Sequence, residues 1–172
     1  MSLSLGAYNI FTDAWLNEFF PEDLPADWRI EYYSNEFDLL HLPASLWDDA
    51  EFNLLEMTLP DEMTGILEVT QPLTQHQRWA EVTSWAEQQN TILAVGEGAA
   101  QCSEKTRQFT IGEDCGTAMS AVSDNLQLLR LQPKPFNLKQ MRAELEKLLH
   151  TDHDEALVIL DGTPAQLDQT RT

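Results

Sequence analysis

WLNEFFPEDLPADWRIEYYSNEF, residues 15–37, carries seven aromatic side chains and two prolines in twenty-three positions. Pro21 and Pro25 fix φ and remove two backbone donors, so residues 19–24 are expected as an ordered loop with Pro25 next to a helix start. From Ala26 onward, Ile30, Tyr33 and Phe37 recur at spacings of three and four, one face of a helix, leaving Glu31, Asn35 and Glu36 to water. Trp28, Ile30 and Tyr32 also alternate with polar residues, so a strand is the competing reading. On a helix Tyr32 and Tyr33 cannot share a face, and one of them must look outward. A proline-fixed loop is ordered only if its large side chains pack, which predicts burial of Trp15, Phe20, Leu24 and Phe37 beneath the first helix.

Working outward, Leu3, Leu5, Tyr8 and Ile10 among small residues predict a first strand over residues 3–10. Thr12 or Asp13 then caps a short helix over residues 14–19. After Phe37, DLLHLP is a short apolar run stopped by Pro43, the pattern of a strand buried on both faces. Residues 46–57 favour a helix with Asp48, Asp49 and Glu51 in its first turn. GILEVT (65–70) reads as a strand, QHQRWAEVTSWAEQQ (75–89) as an amphipathic helix capped by Thr74, and TILAV (91–95) as a buried strand. Residues 99–125 turn small and polar around one β-like run, QFTIG, and are expected to be largely irregular. LQLLRLQ is a strand, Asn137 caps a helix over residues 138–149, ALVIL (156–160) is the last strand, and Pro164 opens a further helix.

Strands alternating with helices over 172 residues predict a single α/β domain with a mostly parallel sheet. Gly6, a Trp nine residues on, FFPEDLP, an aromatic pair and Phe37 resemble, in order and spacing, the opening of the YecE-like family. That resemblance implies a TIM-barrel-like fold without an established activity. The family's next motif is replaced here by FDLLHLPASLW, so the resemblance carries no site residues. A full eightfold barrel usually takes 200 residues or more, and about seven strands are legible. The expected fold is therefore an incomplete or minimal TIM-barrel-like one, with a flavodoxin-like open sheet as the alternative.

The formal net charge is −19, and it is uneven. Residues 1–77 hold fifteen carboxylates against one cation, Arg29, whereas residues 78–172 hold fourteen against nine. Nucleic-acid backbones and anionic membranes are repelled by such a chain, and no apolar run is long enough to span a bilayer. The field suits a basic protein partner instead. Cys102 and Cys115 lack the CxxC spacing and read as ordinary thiols of a reducing, cytoplasmic setting. The N-terminus has no basic flank or cleavage site and reads as a strand rather than a leader.

In either parallel architecture ligands sit past the carboxyl ends of the strands. That rule selects Glu68, Glu97, Asp161 and His41 as candidates for acid/base work and Tyr8, Asn9, Gln71 and Arg130 as ligand-binding candidates. The carboxylates have two readings, solvated strand ends or a convergent site for a small molecule or divalent cation. The HTDHDE run (150–155) has metal-ligand residue types but falls on the opposite side and reads as a turn. Gly96-Glu97-Gly98 lacks the third glycine and the lysine of the phosphate-binding loops. These patterns single out no particular cofactor and assign no metal ligand set, while a divalent cation stays open for the enzyme reading of the strand-end carboxylates. Two functions remain: a non-catalytic binding or interaction protein, and a small-molecule enzyme or binding barrel built on the strand ends.

Overall fold

The structure, a computed structural model, describes residues 2–49, 51–69, 77–95, 107–110, 118–123, 126–131, 138–150 and 154–168. Among these residues eight strands form one sheet: β1 (Ser2–Tyr8), β2 (Leu39–Leu42), β3 (Thr64–Val69), β4 (Thr91–Val95), β5 (Arg107–Thr110), β6 (Ala118–Ser123), β7 (Leu126–Leu131) and β8 (Glu155–Leu160). Their spatial order is β5-β4-β3-β2-β1-β8-β7-β6. Every ladder is parallel except β6–β7, which is antiparallel. Cα atoms of the two edge strands, β5 and β6, approach within 8 Å, so the sheet curls until its edges face each other. Strands thus follow one another around the curl in chain order, as in a TIM barrel and unlike the 2-1-3-4-5 order of a flavodoxin-like sheet. The protein has an incomplete, minimal TIM-barrel-like α/β fold.

Reversal of β6 explains how so short a chain reaches eight strands. Parallel neighbours need a crossover of a dozen or more residues, while antiparallel neighbours need only a turn. Ser123 pairs with Leu126, so two residues suffice to connect β6 to β7, and seven separate β5 from β6. The region between residues 99 and 125, expected to be irregular around a single β-like run, therefore holds two strands. β6, AMSAVS, is hidden from sequence reading because its small side chains give almost no alternation.

Among the described residues six helices accompany the strands: α1 (Asp13–Glu18), α2 (Arg29–Ser34), α3 (Ala44–Trp47), α4 (Trp79–Gln88), α5 (Leu138–Leu149) and α6 (Pro164–Asp168). None of the described helices is long and apolar enough to cross a membrane. Helix wins over strand in residues 26–37, as a 3₁₀ turn Ala26–Trp28 that leads into α2. The helix expected over residues 46–57 is absent. In its place stand α3 and a 3₁₀ turn Leu54–Glu56, because Asp49 Oδ1 accepts from the Glu51 N–H at 2.9 Å and turns the chain. The caps expected at Thr74 and Asn137 lie outside the described residues, as do Cys102, Cys115 and the Gly96–Gly98 loop.

The organising stretch packs as its aromatics require. Trp15, Phe20 and Phe37 are buried, Leu24 is partly buried against them, Tyr33 is fully buried and Tyr32 looks outward. Trp15, Phe19, Tyr33 and Phe37 form a continuous set of edge-on, tilted and stacked rings. Tyr33 does more than fill space: its hydroxyl accepts from the Ala7 N–H at 2.7 Å and donates to the Leu39 carbonyl at 2.8 Å. It thereby bridges β1 and β2 from the helix side. Tyr33→Phe leaves two buried backbone groups unmatched, and a buried unsatisfied group costs about 1–3 kcal/mol. Urea unfolding is expected to show a loss of about 3 kcal/mol with an unchanged m-value; a loss near zero would mean the two strands pair without the phenol.

The core has two parts. One lies between sheet and helices and includes Leu40, Leu42, Leu67, Val69, Leu93, Leu129, Leu131, Val158 and Leu160 with Trp15, Tyr33 and Trp85. The other consists only of strand residues, Leu39, Ile66, Ile92, Leu128, Leu157 and Ile159, with Tyr8 against them, and fills the concave side.

Candidate functional site at the carboxyl ends of the strands

Side chains two apart on a strand share a face. Moving two residues toward the carboxyl end from the apolar layer of the concave side, Leu39 gives His41, Ile66 gives Glu68, Leu128 gives Arg130 and Ile159 gives Asp161; Gly6 likewise gives Tyr8. Each of these strands therefore places one polar or aromatic side chain above the apolar floor, and together they make a second, polar layer at the mouth.

Arg130 is the centre of that layer. Its guanidinium carbon lies 3.6 Å from the centroid of the Tyr8 ring, and its Nη2 is 2.7 Å from Asp161 Oδ2. The Tyr8 and His41 rings are 4.7 Å apart, tilted by 33°. Glu68 completes the group through electrostatic coupling to both Arg130 and Tyr8. Its carboxylate also accepts from the Ala44 N–H at the start of α3, and its backbone carbonyl takes the Trp47 indole N–H at 2.7 Å. These contacts hold β3 in place beside α3.

Burial shapes the protonation of the layer. Glu68 is pushed above the usual carboxylate range, first by desolvation, with Arg130 and the Ala44 N–H opposing. The Tyr8 phenol is raised too, by burial and then by the negative charge of Glu68 and Asp161, with Arg130 working against them. His41 is held down to about 3, by burial first and by Arg130 second. Its Nδ1 is buried and has no hydrogen-bond partner among the described residues. At neutral pH the imidazole is therefore uncharged, the phenol keeps its proton, and Asp161 and Arg130 neutralise one another.

Beside this layer, between the β1–α1 and β8–α6 connections, lies a cavity of about 330 Å³ lined by Tyr8, Asn9, Thr12, Trp15, Asp161, Gly162, Thr163 and Gln166. Asn9 makes the turn off β1 at φ 52°, a left-handed conformation that asparagine tolerates better than most residues. Thr163 and Gln166 form a capping box on α6, with Gln166 Oε1 accepting from the Thr163 N–H at 3.0 Å and Thr163 Oγ1 accepting from the Gln166 N–H at 3.4 Å. The Trp15 indole N–H donates to the Gly162 carbonyl at 3.0 Å, which fixes the far wall.

Of the residues selected from sequence, the fold brings Tyr8, His41, Glu68, Arg130 and Asp161 to one mouth and sets Asn9 on the adjoining wall. Glu97 and Gln71 lie outside the described residues. Among the described residues no group of three or more His, Cys, Asp and Glu is placed to hold a metal ion; the carboxylates meet around a guanidinium. His150 and Asp154, the described ends of the HTDHDE run that bear on that reading, are exposed. Thr12, Thr163 and Gln166 join the site from outside the strand-end rule, although TPAQ (163–166), with proline inside a Thr-x-x-Gln box directly after a strand, is a legible signal. No family model, curated protein or solved structure matches the chain.

Proposed function

We propose that this is a binding protein whose barrel mouth takes a small, uncharged molecule rich in hydroxyl or carbonyl groups. The observation that carries the reading is the convergence of Arg130 with Asp161 and Tyr8 at the edge of the cavity. Because that charge is compensated internally, neither an anion nor a cation is the favoured occupant. The walls instead offer neutral donors and acceptors from Tyr8, Asn9, Thr12, Thr163 and Gln166, and the volume lies in the range of small-molecule sites. A catalytic reading is the second one, supported by the position of Glu68 in the mouth beside Arg130, where burial raises its pKa above the usual carboxylate range. A cytoplasmic setting and a distant place beside the YecE-like family belong to the same proposal, supported by the cysteine spacing and by the opening segment that the barrel uses around Gly6.

Thermal shift against a panel of monosaccharides and other neutral polyols tests the reading. A true ligand at a hundredfold excess over its Kd stabilises by about 2.7 kcal/mol, and Asp161→Asn is expected to abolish that shift. Glu68→Gln separates the two readings: a binder keeps its affinity within a few fold, while an enzyme keeps binding and loses turnover of the bound compound. A shift produced by Mg²⁺ or Mn²⁺ alone, or one indifferent to Asp161→Asn, would overturn the proposal.

A further inference from the structure

On the far side of Trp15 from the mouth cavity, a groove of about 360 Å³ runs between α1, α2 and α6, and Trp15 lines both. Its lining includes Phe19, Tyr32, Glu18, Glu36 and Leu167, and no lining residue among those described is a cation; Glu18 Oε2 accepts from the Ala165 N–H at 3.3 Å, which leaves the other carboxylate oxygen as an acceptor. Tyr32 packs edge-on against Phe19, with ring centroids 5.7 Å apart, and is still 38% exposed. Trp28, one helical turn before Tyr32 and so on the same face, is 63% exposed, the most exposed large apolar side chain of the described residues. Asp27 and Glu31 are their sequence neighbours and are exposed, and Arg29 is the one cation in residues 1–77.

We propose that this groove, with Trp28 on its rim, docks a basic segment of a partner protein by receiving an arginine or lysine side chain. The aliphatic stem of such a side chain lies along Phe19 and Leu167. Its cationic head meets the ring of Tyr32, whose quadrupole attracts cations, and the carboxylates of Glu18 and Glu36. An extended segment fits better than a small amine, because the aromatic surface continues to Trp28 beyond what one ammonium covers and the acidic field spreads over the whole N-terminal half. Exposed tryptophan and tyrosine one helical turn apart are residue types that dominate protein interfaces. This surface shares no charged residue with the mouth, so the two proposals stand or fall separately.

The test is fluorescence anisotropy with a fluorescein-labelled arginine–glycine repeat peptide at physiological salt, beside a glutamate–glycine repeat of equal length. The arginine peptide is expected to bind saturably and the glutamate peptide not at all. Trp28→Ala with Tyr32→Ala, and separately Glu18→Gln with Glu36→Gln, are each expected to weaken binding about tenfold. Asp61→Asn with Glu62→Gln removes the same charge from the neighbouring cavity, which meets the groove at Asn35 and Phe37, and is expected to change affinity less than about twofold, the range of a screened charge that does not touch the bound head. Should a double variant lose cooperative melting, Trp28→Ala alone, at an exposed side chain, decides the matter by the same weakening. Equal losses at the groove and at Asp61 and Glu62 would reduce the effect to diffuse attraction and overturn the proposal. So would the absence of saturable binding, or an affinity that rises many-fold in Arg171→Ala, which would make a basic residue of this chain the occupant.

Discussion

Gly6→Ala is expected to abolish cooperative folding, or to lower stability by more than about 4 kcal/mol, a loss confined to a few structural mechanisms. A Cβ at Gly6 would overlap the Leu39 carbonyl oxygen and stand 2.6 Å from its carbon and 2.8 Å from Leu39 Cβ. Those atoms belong to the backbone of β2, or lie directly on it, and β2 is locked between β1 and β3, so nothing can give without parting the strands. Parting them also breaks the bridge of Tyr33 to Ala7 and Leu39. Gly65→Ala is the informative contrast: its new Cβ meets the tip of Leu59 at 2.7 Å, and a side-chain tip can rotate away. Overpacking of that kind costs about 1–3 kcal/mol. Circular dichroism melts of the two variants decide it, and a cooperative Gly6→Ala protein within about 1 kcal/mol of wild type would mean that β1 and β2 are not held at this spacing.

Acid is expected to act on the fold through His41. In the unfolded chain this imidazole takes a proton near its ordinary value of 6.5, whereas in the folded protein it does so only near 3. Between those values the unfolded state binds more protons, so stability falls as pH falls, by up to about 1.4 kcal/mol per pH unit, and levels off below pH 3. Above pH 6.5 the imidazole is neutral in both states and adds no pH dependence. Glu68 works in the opposite sense: its raised folded pKa gives stability that is present in acid and lost as pH rises through the carboxylate range. The two are separated by following the difference between wild type and His41→Leu in urea melts from pH 7 to pH 4, where the contributions of all other groups largely cancel. A sloping difference is expected, and a flat one would mean that His41 reaches water and titrates normally.

Which parts of this arrangement are legible in the chain follows from the range of the forces involved. Continuous apolar runs such as LLHL and ALVIL announce strands buried on both faces, and the spacing of Ile30, Tyr33 and Phe37 announces the inward face of α2, because both signals are local. Residues 46–57 mislead because Asp48 and Asp49 serve equally well as first-turn acids or as turn formers, and only the Asp49-to-Glu51 hydrogen bond separates the two. The strand-end rule finds Tyr8, His41, Glu68, Arg130 and Asp161 but not their mutual arrangement. Arg130 becomes the centre only because β8 lies between β7 and β1, a pairing across most of the chain that no local pattern encodes. The carboxylates look like a cation site in the sequence because their guanidinium partner is thirty residues or more away.

That long-range pairing also has a kinetic side. Ser2 pairs with Glu155 and Ala7 with Leu160, so the β1–β8 ladder closes by far the largest loop in the molecule, while β6–β7 closes one of the smallest. Loop-closure entropy must be overcome before distant contacts can reward it, which makes such pairings slow. The hairpin and the neighbouring β2–β3–β4 units are therefore expected to gain amide protection early in refolding, and the β1–β8 amides last. Tyr8, Arg130 and Asp161 come together only across that final seam, so their arrangement exists in no partly assembled form, and under the proposed binding function occupancy of the mouth would report completion of the fold itself.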